Sequence, residues 1–224
     1  MGAKTVLKAH FFSILLFLTI GVLGCAKNEQ LSIEPNTLEY FLEIALGIEY
    51  GERVEPVLER WESNWKLFIG GNPTKSDLQC MTSITEKISS LTDIQILEVE
   101  ESSANIKIFF LPESEFGKRD LYYPPGNIGY FVVYTKKSGE ITRALIQISN
   151  EDPSEERCHA IAEELSQITG LYADSWKESG SLFFQGFSNL QTLSELDETI
   201  MQLLYDKRLE IGMSEDQIRT ALQN

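Results

Sequence analysis

The order of helical and strand-like hydrophobic patterns is the feature that most restricts the fold of this chain. From residue 36 onward, a helical pattern is followed by a strand-like run, a second helix, four strand-like runs and three further helices. The last two runs, residues 128–134 and 140–148, flank a Lys-Ser-Gly turn at 137–139 and predict a hairpin. We expect a single α+β domain over residues 36–224, with a small mixed or antiparallel sheet covered by helices and with further helices at its C-terminal end.

Residues 1–24 differ from the rest of the chain and predict a signal peptide. Lys4 and Lys8 give a positive start, and residues 11–24 contain no charge. As a helix, this uncharged run would be about 21 Å long, whereas the hydrocarbon core of a bilayer is about 30 Å thick. The run is therefore short for a membrane span and typical of a cleaved export signal, with an uncleaved anchor helix as the alternative.

The signal ends in Val22-Leu23-Gly24-Cys25, which resembles the lipobox of bacterial lipoproteins. The resemblance implies cleavage before Cys25, lipidation of its thiol and acylation of its new amino group. More than one acyl chain anchors a protein stably to a membrane, and residues 25–35 would then form a lipidated tether. Ala26, and not aspartate, follows the cysteine, so the resemblance further implies a cell-envelope location on the periplasmic face of the outer membrane of a Gram-negative host.

The mature chain is strongly acidic. Residues 1–24 contain two of the 19 lysines and arginines and none of the 34 acidic residues, so the remainder has a net charge of −17. Such a charge repels phosphate backbones and argues against nucleic acid as a partner. The partners we expect are the membrane, through the lipid on Cys25, and other envelope proteins. Nothing in the sequence indicates a cofactor.

Two cysteines remain after Cys25 is assigned to lipid. In an oxidising compartment, Cys80 and Cys158 could form a disulfide that closes a loop of about 80 residues and contributes about 4 kcal/mol. The alternative is a pair of buried free thiols, because sequence alone does not place two Cα atoms within bridging distance.

A helical stretch near Gly170 resembles the active-site helix of zincin metallopeptidases, H-E-x-x-H, and its metzincin extension, H-E-x-x-H-x-x-G-x-x-H. In this alignment Glu163 lies at the first ligand position and Glu164 at the general-base position. Gln167 lies at the second ligand position, Gly170 at the turn glycine and Ala173 at the third ligand position. The resemblance therefore retains the glutamate and the glycine but lacks all three ligand histidines.

Two further stretches extend this resemblance. Residues 193–205 are similar to the closing helix of matrix-type metzincins, in which a capping serine and an acidic turn precede an apolar helix that ends in tyrosine. Residues 38–213 resemble an uncharacterised family of exported bacterial proteins, known only as a domain of unknown function, whose members look like zincins. The resemblance implies a zincin-like fold with a degenerate catalytic helix.

Histidine is too scarce for a zinc site of the usual kind. The only histidines are His10, which is lost with the signal, and His159, whereas catalytic zinc takes three protein ligands that are mostly histidines. His159 and Glu163 are four residues apart and share a helix face, so with a distant carboxylate such as Asp174 they could form a site for a hard metal. The alternative is that His159 is a polar helix residue beside Cys158.

Glu164 and Gln167 also allow two interpretations. Glu164 could act as a general acid or base, although a second catalytic group is needed and none is apparent. Alternatively, Glu164 and Gln167 hydrogen-bond to each other where the metal would lie. We therefore predict a non-catalytic binding or assembly protein, with an atypical metal-dependent peptidase or hydrolase that uses Glu164 as the alternative. A purely structural lipoprotein, the third possibility, would lack a concave pocket beside this helix.

One loop combines aromatic residues with conformational restriction. Tyr122 and Tyr123 precede two prolines and a glycine, so their backbone is restricted and we expect the loop to be exposed. Tyr122 and Tyr123 are therefore candidate contact residues for a partner.

Overall fold

A computed structural model describes residues 33–48, 55–118 and 123–223, and within these ranges the chain forms five α-helices and a six-stranded sheet. Cys25, His10 and Tyr122 lie outside the described residues, as do the predicted signal peptide and most of the tether. The elements are α1 (Pro35–Leu46), β1 (Arg60–Trp61), β2 (Trp65–Gly71), α2 (Lys75–Thr92), β3 (Ile96–Glu98), β4 (Ile106–Leu111), β5 (Gly129–Thr135), β6 (Glu140–Ser149), α3 (Ser154–Gln167), α4 (Glu195–Leu204) and α5 (Glu215–Gln223).

The sheet is mixed, but most of its pairings are parallel. Its order is β1-β6-β4-β2-β3, and β5 also pairs with β6, outside this sequence of neighbours. The β5–β6 hairpin is antiparallel, as predicted, whereas β1–β6, β4–β6, β2–β4 and β2–β3 are all parallel. Of the two predicted alternatives, a mixed or an antiparallel sheet, the mixed sheet is therefore the one observed, and the antiparallel alternative is wrong outside the hairpin. Helix α2 connects the end of β2 to the start of β3, so the two strands can run in the same direction. This is the crossover that parallel pairing requires.

Two glycines at the end of β2 belong to the sheet. A Cβ atom on Gly71, whose φ is +78°, would lie 2.0 Å from the carbonyl oxygen of Phe110 on the neighbouring strand. Only glycine permits this approach between the two backbones. The strand therefore continues through Gly70 and Gly71 to pair with β4.

The main hydrophobic core lies on the face of the sheet that α3 covers. Ile161, Leu165 and Ile168 of the α3 region are fully buried in this core. A smaller cluster, formed by Phe109, Leu111 and Phe116, lies apart from it. None of the described helices is long and apolar enough to cross a membrane.

Two buried links join α2 to α3. Cys80 and Cys158 form a disulfide with their Cα atoms 5.6 Å apart. One turn earlier on α2, the Asp77 carboxylate accepts a hydrogen bond of 3.0 Å from the Arg157 guanidinium, and both side chains are almost completely buried. Asp77 also completes a capping box with Thr74 at the start of α2. These links hold α3, the helix that contains Glu163, Glu164 and Gln167, against α2.

Candidate functional site

A cleft lies between α3 and the start of β5. Its cavity has a volume of about 450 Å³, which is within the usual range for ligand sites. One wall is formed by side chains of α3, the opposite wall by residues 126–129, and the rim by residues 184–188. A purely structural role would not require a concave pocket beside α3.

Glu164 lies in the wall of this cleft and is only 6% exposed. A Cβ atom on Gly129 would lie 2.4 Å from Glu164 Oε1 and 2.8 Å from its Cγ. The Glu164 carboxylate therefore occupies space that a side chain at residue 129 would fill. The sequence analysis did not identify Gly129, and a glycine at the start of a strand is its only signal.

Gln167 and Asp174 are joined across the turn that follows α3. The Gln167 amide nitrogen donates a hydrogen bond of 2.9 Å to Asp174 Oδ1. The partner of this nitrogen is therefore Asp174, and not Glu164 as in the alternative considered from the sequence. Gly170, with a φ of +124°, allows the chain to turn back here, because a Cβ atom would lie 2.1 Å from the carbonyl oxygen of Glu59. The turn glycine of the motif thus has a steric role.

His159 has two polar neighbours. Its Nδ1 lies 2.6 Å from the carbonyl oxygen of Leu190, a distance at which the ring N–H donates to the carbonyl. Its Nε2 lies 3.6 Å from Glu163 Oε2, one turn along the same helix. The imidazole therefore ties α3 to the segment that forms the cleft rim.

These residues do not fit a catalytic zinc ion. Within the three described ranges, no group of three or more His, Cys, Asp or Glu side chains is placed to hold a metal. Ala173 has no donor atom, and Gln167 directs its amide nitrogen to Asp174. Zinc sites of peptidases require three good donors around one point and an open position for water. We therefore derive no reaction step from a metal at this site.

The cleft combines acidic walls with an aromatic rim. Its lining includes the carboxylates of Glu156, Glu163, Glu164 and Asp174. Phe184 and Phe187 form part of its rim, and Phe187 is 83% exposed. Sequence patterns did not identify this rim, because residues 172–191 have no regular periodicity from which a face could be assigned.

The described part of the predicted tyrosine loop is packed against the domain. The Tyr123 hydroxyl donates a hydrogen bond of 2.7 Å to Glu113 Oε1, and its ring makes edge contacts with Phe116 and Tyr130. Burial, together with the Glu113 carboxylate, raises the pKa of Tyr123 to about 12. Tyr123 is thus a neutral anchor for its own loop, and Tyr122 lies outside the described residues.

Comparisons with known proteins give one family and distant structural neighbours. No curated protein sequence matches the chain. Two solved structures of myroilysin are similar at 12% identity: one with a TM-score of 0.40 that covers 67% of this chain and 97% of the other, and one with a TM-score of 0.43 that covers 80% and 99%. Residues 35–224 match the family "Protein of unknown function (DUF2927)", and the chain therefore belongs to that family.

Proposed function

We propose that this protein is a lipid-anchored domain of the bacterial envelope, with a degenerate zincin-like fold, that binds an extended polypeptide segment of another envelope protein without catalysis. The observation that carries the proposal is the cleft between α3 and β5, which is open enough for a ligand but has the Gln167–Asp174 pair in place of metal ligands.

The strand at the cleft has an edge that suits such a ligand. Among the described strands, β5 pairs only with β6. Ser149 donates a backbone hydrogen bond to Ile128, so the alternation of an antiparallel ladder directs the N–H and C=O groups of Gly129, Phe131 and Val133 to the opposite edge. An edge of this kind binds an extended peptide by strand addition.

The proposed location comes from the sequence. The lipobox-like stretch ending in Cys25 supports export, lipidation and attachment to the periplasmic face of the outer membrane. The net charge of −17 on the mature chain supports a protein partner and not nucleic acid.

Site-specific cross-linking in cells tests this function. A photoreactive phenylalanine analogue placed at Gln185, an exposed residue of the cleft rim, should form an adduct of one defined mass with an envelope protein. The matched control is Leu97, which is 56% exposed on β3 at the opposite edge of the sheet and should form no such adduct. Absence of an adduct at Gln185, or stoichiometric zinc in elemental analysis of the purified protein, would contradict the proposal.

Glu164 supports a second candidate, an atypical peptidase or hydrolase. Glu164 is 6% exposed as a residue and lines the cleft, where a substrate would lie. This candidate predicts turnover of peptide substrates that is inhibited by chelators and abolished by Glu164→Gln. The binding function instead predicts no turnover before or after the substitution.

A further inference from the structure

An uncharged segment, residues 179–193, separates the α3 region from α4. In a chain in which 24% of the residues are charged, these 15 positions contain no Asp, Glu, Lys or Arg. Part of the segment is buried: Leu182 and Phe183 are fully enclosed. The remainder presents serine, glutamine, asparagine and phenylalanine to the surface, so it exposes a zone without charge on an otherwise acidic protein.

An aromatic surface, defined here as Trp176, Phe184 and Phe187, lies at this zone: Phe184 and Phe187 belong to the segment, and Trp176 precedes it and contacts Phe184. Trp176 is 73% exposed and Phe187 is 83% exposed, the two highest values among the described large hydrophobic residues. The rings of Trp176 and Phe184 are in edge contact, with centroids 5.9 Å apart. Exposed aromatic rings next to one another are characteristic of contact surfaces on soluble domains.

The backbone beneath these rings is held in place. Ser175 donates to the carbonyl oxygen of Phe183 at 2.9 Å and accepts from the Gln185 amide at 3.0 Å. The Leu182 amide donates at 2.9 Å to Asp197, a fully buried carboxylate that also caps α4. The aromatic surface is therefore presented on a braced backbone, and its exposure is a property of the fold.

The uncharged segment and the turn that follows α3 are both fastened to α1, the helix that follows the tether. The Tyr40 hydroxyl donates to Ser181 Oγ at 2.8 Å, and the Ala173 amide donates to the Ile44 carbonyl oxygen at 3.1 Å. Helix α1 is 12 residues long, or about 18 Å, whereas the ten residues from Cys25 to Pro35 span at most about 35 Å. The tether is thus long enough for the aromatic surface to reach a bilayer in which the lipid on Cys25 is embedded.

We propose that the aromatic surface lies in the interfacial layer of the bilayer that holds the Cys25 lipid; this inference rests on the lipid anchor of the proposed function. Tryptophan and other aromatic side chains favour the headgroup region of membranes. Phe184 and Phe187 belong to the uncharged segment and can enter that region without the desolvation of a charge in their own segment. The charged side chains of Lys177 and Glu178, next to Trp176, would stay at the polar headgroups. Acyl chains attach the protein, and the rings determine its orientation. Because Phe184 and Phe187 also form the cleft rim, the cleft would open beside the membrane.

Tryptophan fluorescence tests this contact. Trp61 and Trp65 are 2% and 0% exposed, so bilayer contact can change only the emission of Trp176. The full lipidated protein is reconstituted into phosphatidylcholine vesicles, and its emission is compared with that in vesicles whose acyl chains are brominated near the headgroup. The difference between wild type and Trp176→Phe gives the quenching of Trp176. We expect the brominated chains to lower the emission of Trp176 about twofold, because the ring would lie at the depth of the headgroups.

Variants separate this inference from the anchor. Phe187→Ser should reduce the quenching, whereas Leu97→Ser, at a distant exposed leucine, should leave it unchanged. A protein that floats with vesicles but shows equal quenching in wild type and Trp176→Phe would overturn the membrane contact and leave the anchor intact. Quenching that depends on protein density in the vesicles would also overturn it, because a second copy would then cover the rings. A protein that fails to float would instead refute the lipid anchor.

Discussion

The disulfide between α2 and α3 allows a quantitative prediction. The bridged cysteines, Cys80 and Cys158, are 78 residues apart. For a loop of this length, the loss of chain entropy in the unfolded state corresponds to about 4.5 kcal/mol at 25 °C. The double variant Cys80→Ala with Cys158→Ala should therefore lower the free energy of unfolding by about 4 kcal/mol. For a slope of about 2 kcal/mol/M in urea, the unfolding midpoint should fall by about 2 M.

Urea unfolding of the lipidated protein in mild detergent measures this loss. The emission of Trp61 and Trp65 reports unfolding, because both rings are buried in the native domain and become hydrated when it unfolds. A reductant provides the control: it should lower the midpoint of the wild-type protein by the same amount and leave the double variant unchanged. A fall in the unfolding midpoint of less than about 0.5 M would refute the reasoning. It would mean that removing the disulfide adds little conformational entropy to the unfolded chain.

Three further substitutions have outcomes that the structure defines. Asp77→Ala should lower the free energy of unfolding by about 3–5 kcal/mol, measured by urea unfolding, because it leaves a buried guanidinium without its counter-charge. Gly129→Ala should destabilise the domain by about 1–3 kcal/mol and reduce cross-linking at the cleft, because the new methyl group displaces a buried carboxylate, whereas Gly117→Ala, with open space around its Cβ, should do neither. A hydrogen bond from Arg208 lowers the pKa of Asp206 below its ordinary value of 3.8. The pair therefore stabilises the fold above that pH and loses its contribution as the pH falls through the lower native value, so Arg208→Gln should cost about 0.5–1 kcal/mol at pH 7 and progressively less as the pH falls below the native pKa of Asp206.

Local features of the chain were predictable because they depend on residues close in sequence. The antiparallel hairpin follows from two alternating runs around a three-residue turn, and the structure has it at β5 and β6. On α3, helical spacing predicts that Ile161 and Leu165 face the core while Glu164 lies elsewhere on the helix, and both isoleucine and leucine are fully buried. The shortage of histidine also follows from the sequence alone, since it depends only on a count.

The parallel sheet and the cleft were decided by tertiary structure. A strand pattern contains no information on whether its neighbour runs in the same direction. Helix α2 is the crossover for the parallel pair β2–β3, and the other parallel pairs depend on other connections of the chain. The cleft joins Gly129, Glu164 and Phe187, which come from three separate segments. The bond from Gln167 to Asp174 likewise depends on how the chain turns after Gly170. Periodicity specifies which face of an element is apolar, but only packing between elements specifies what that face meets.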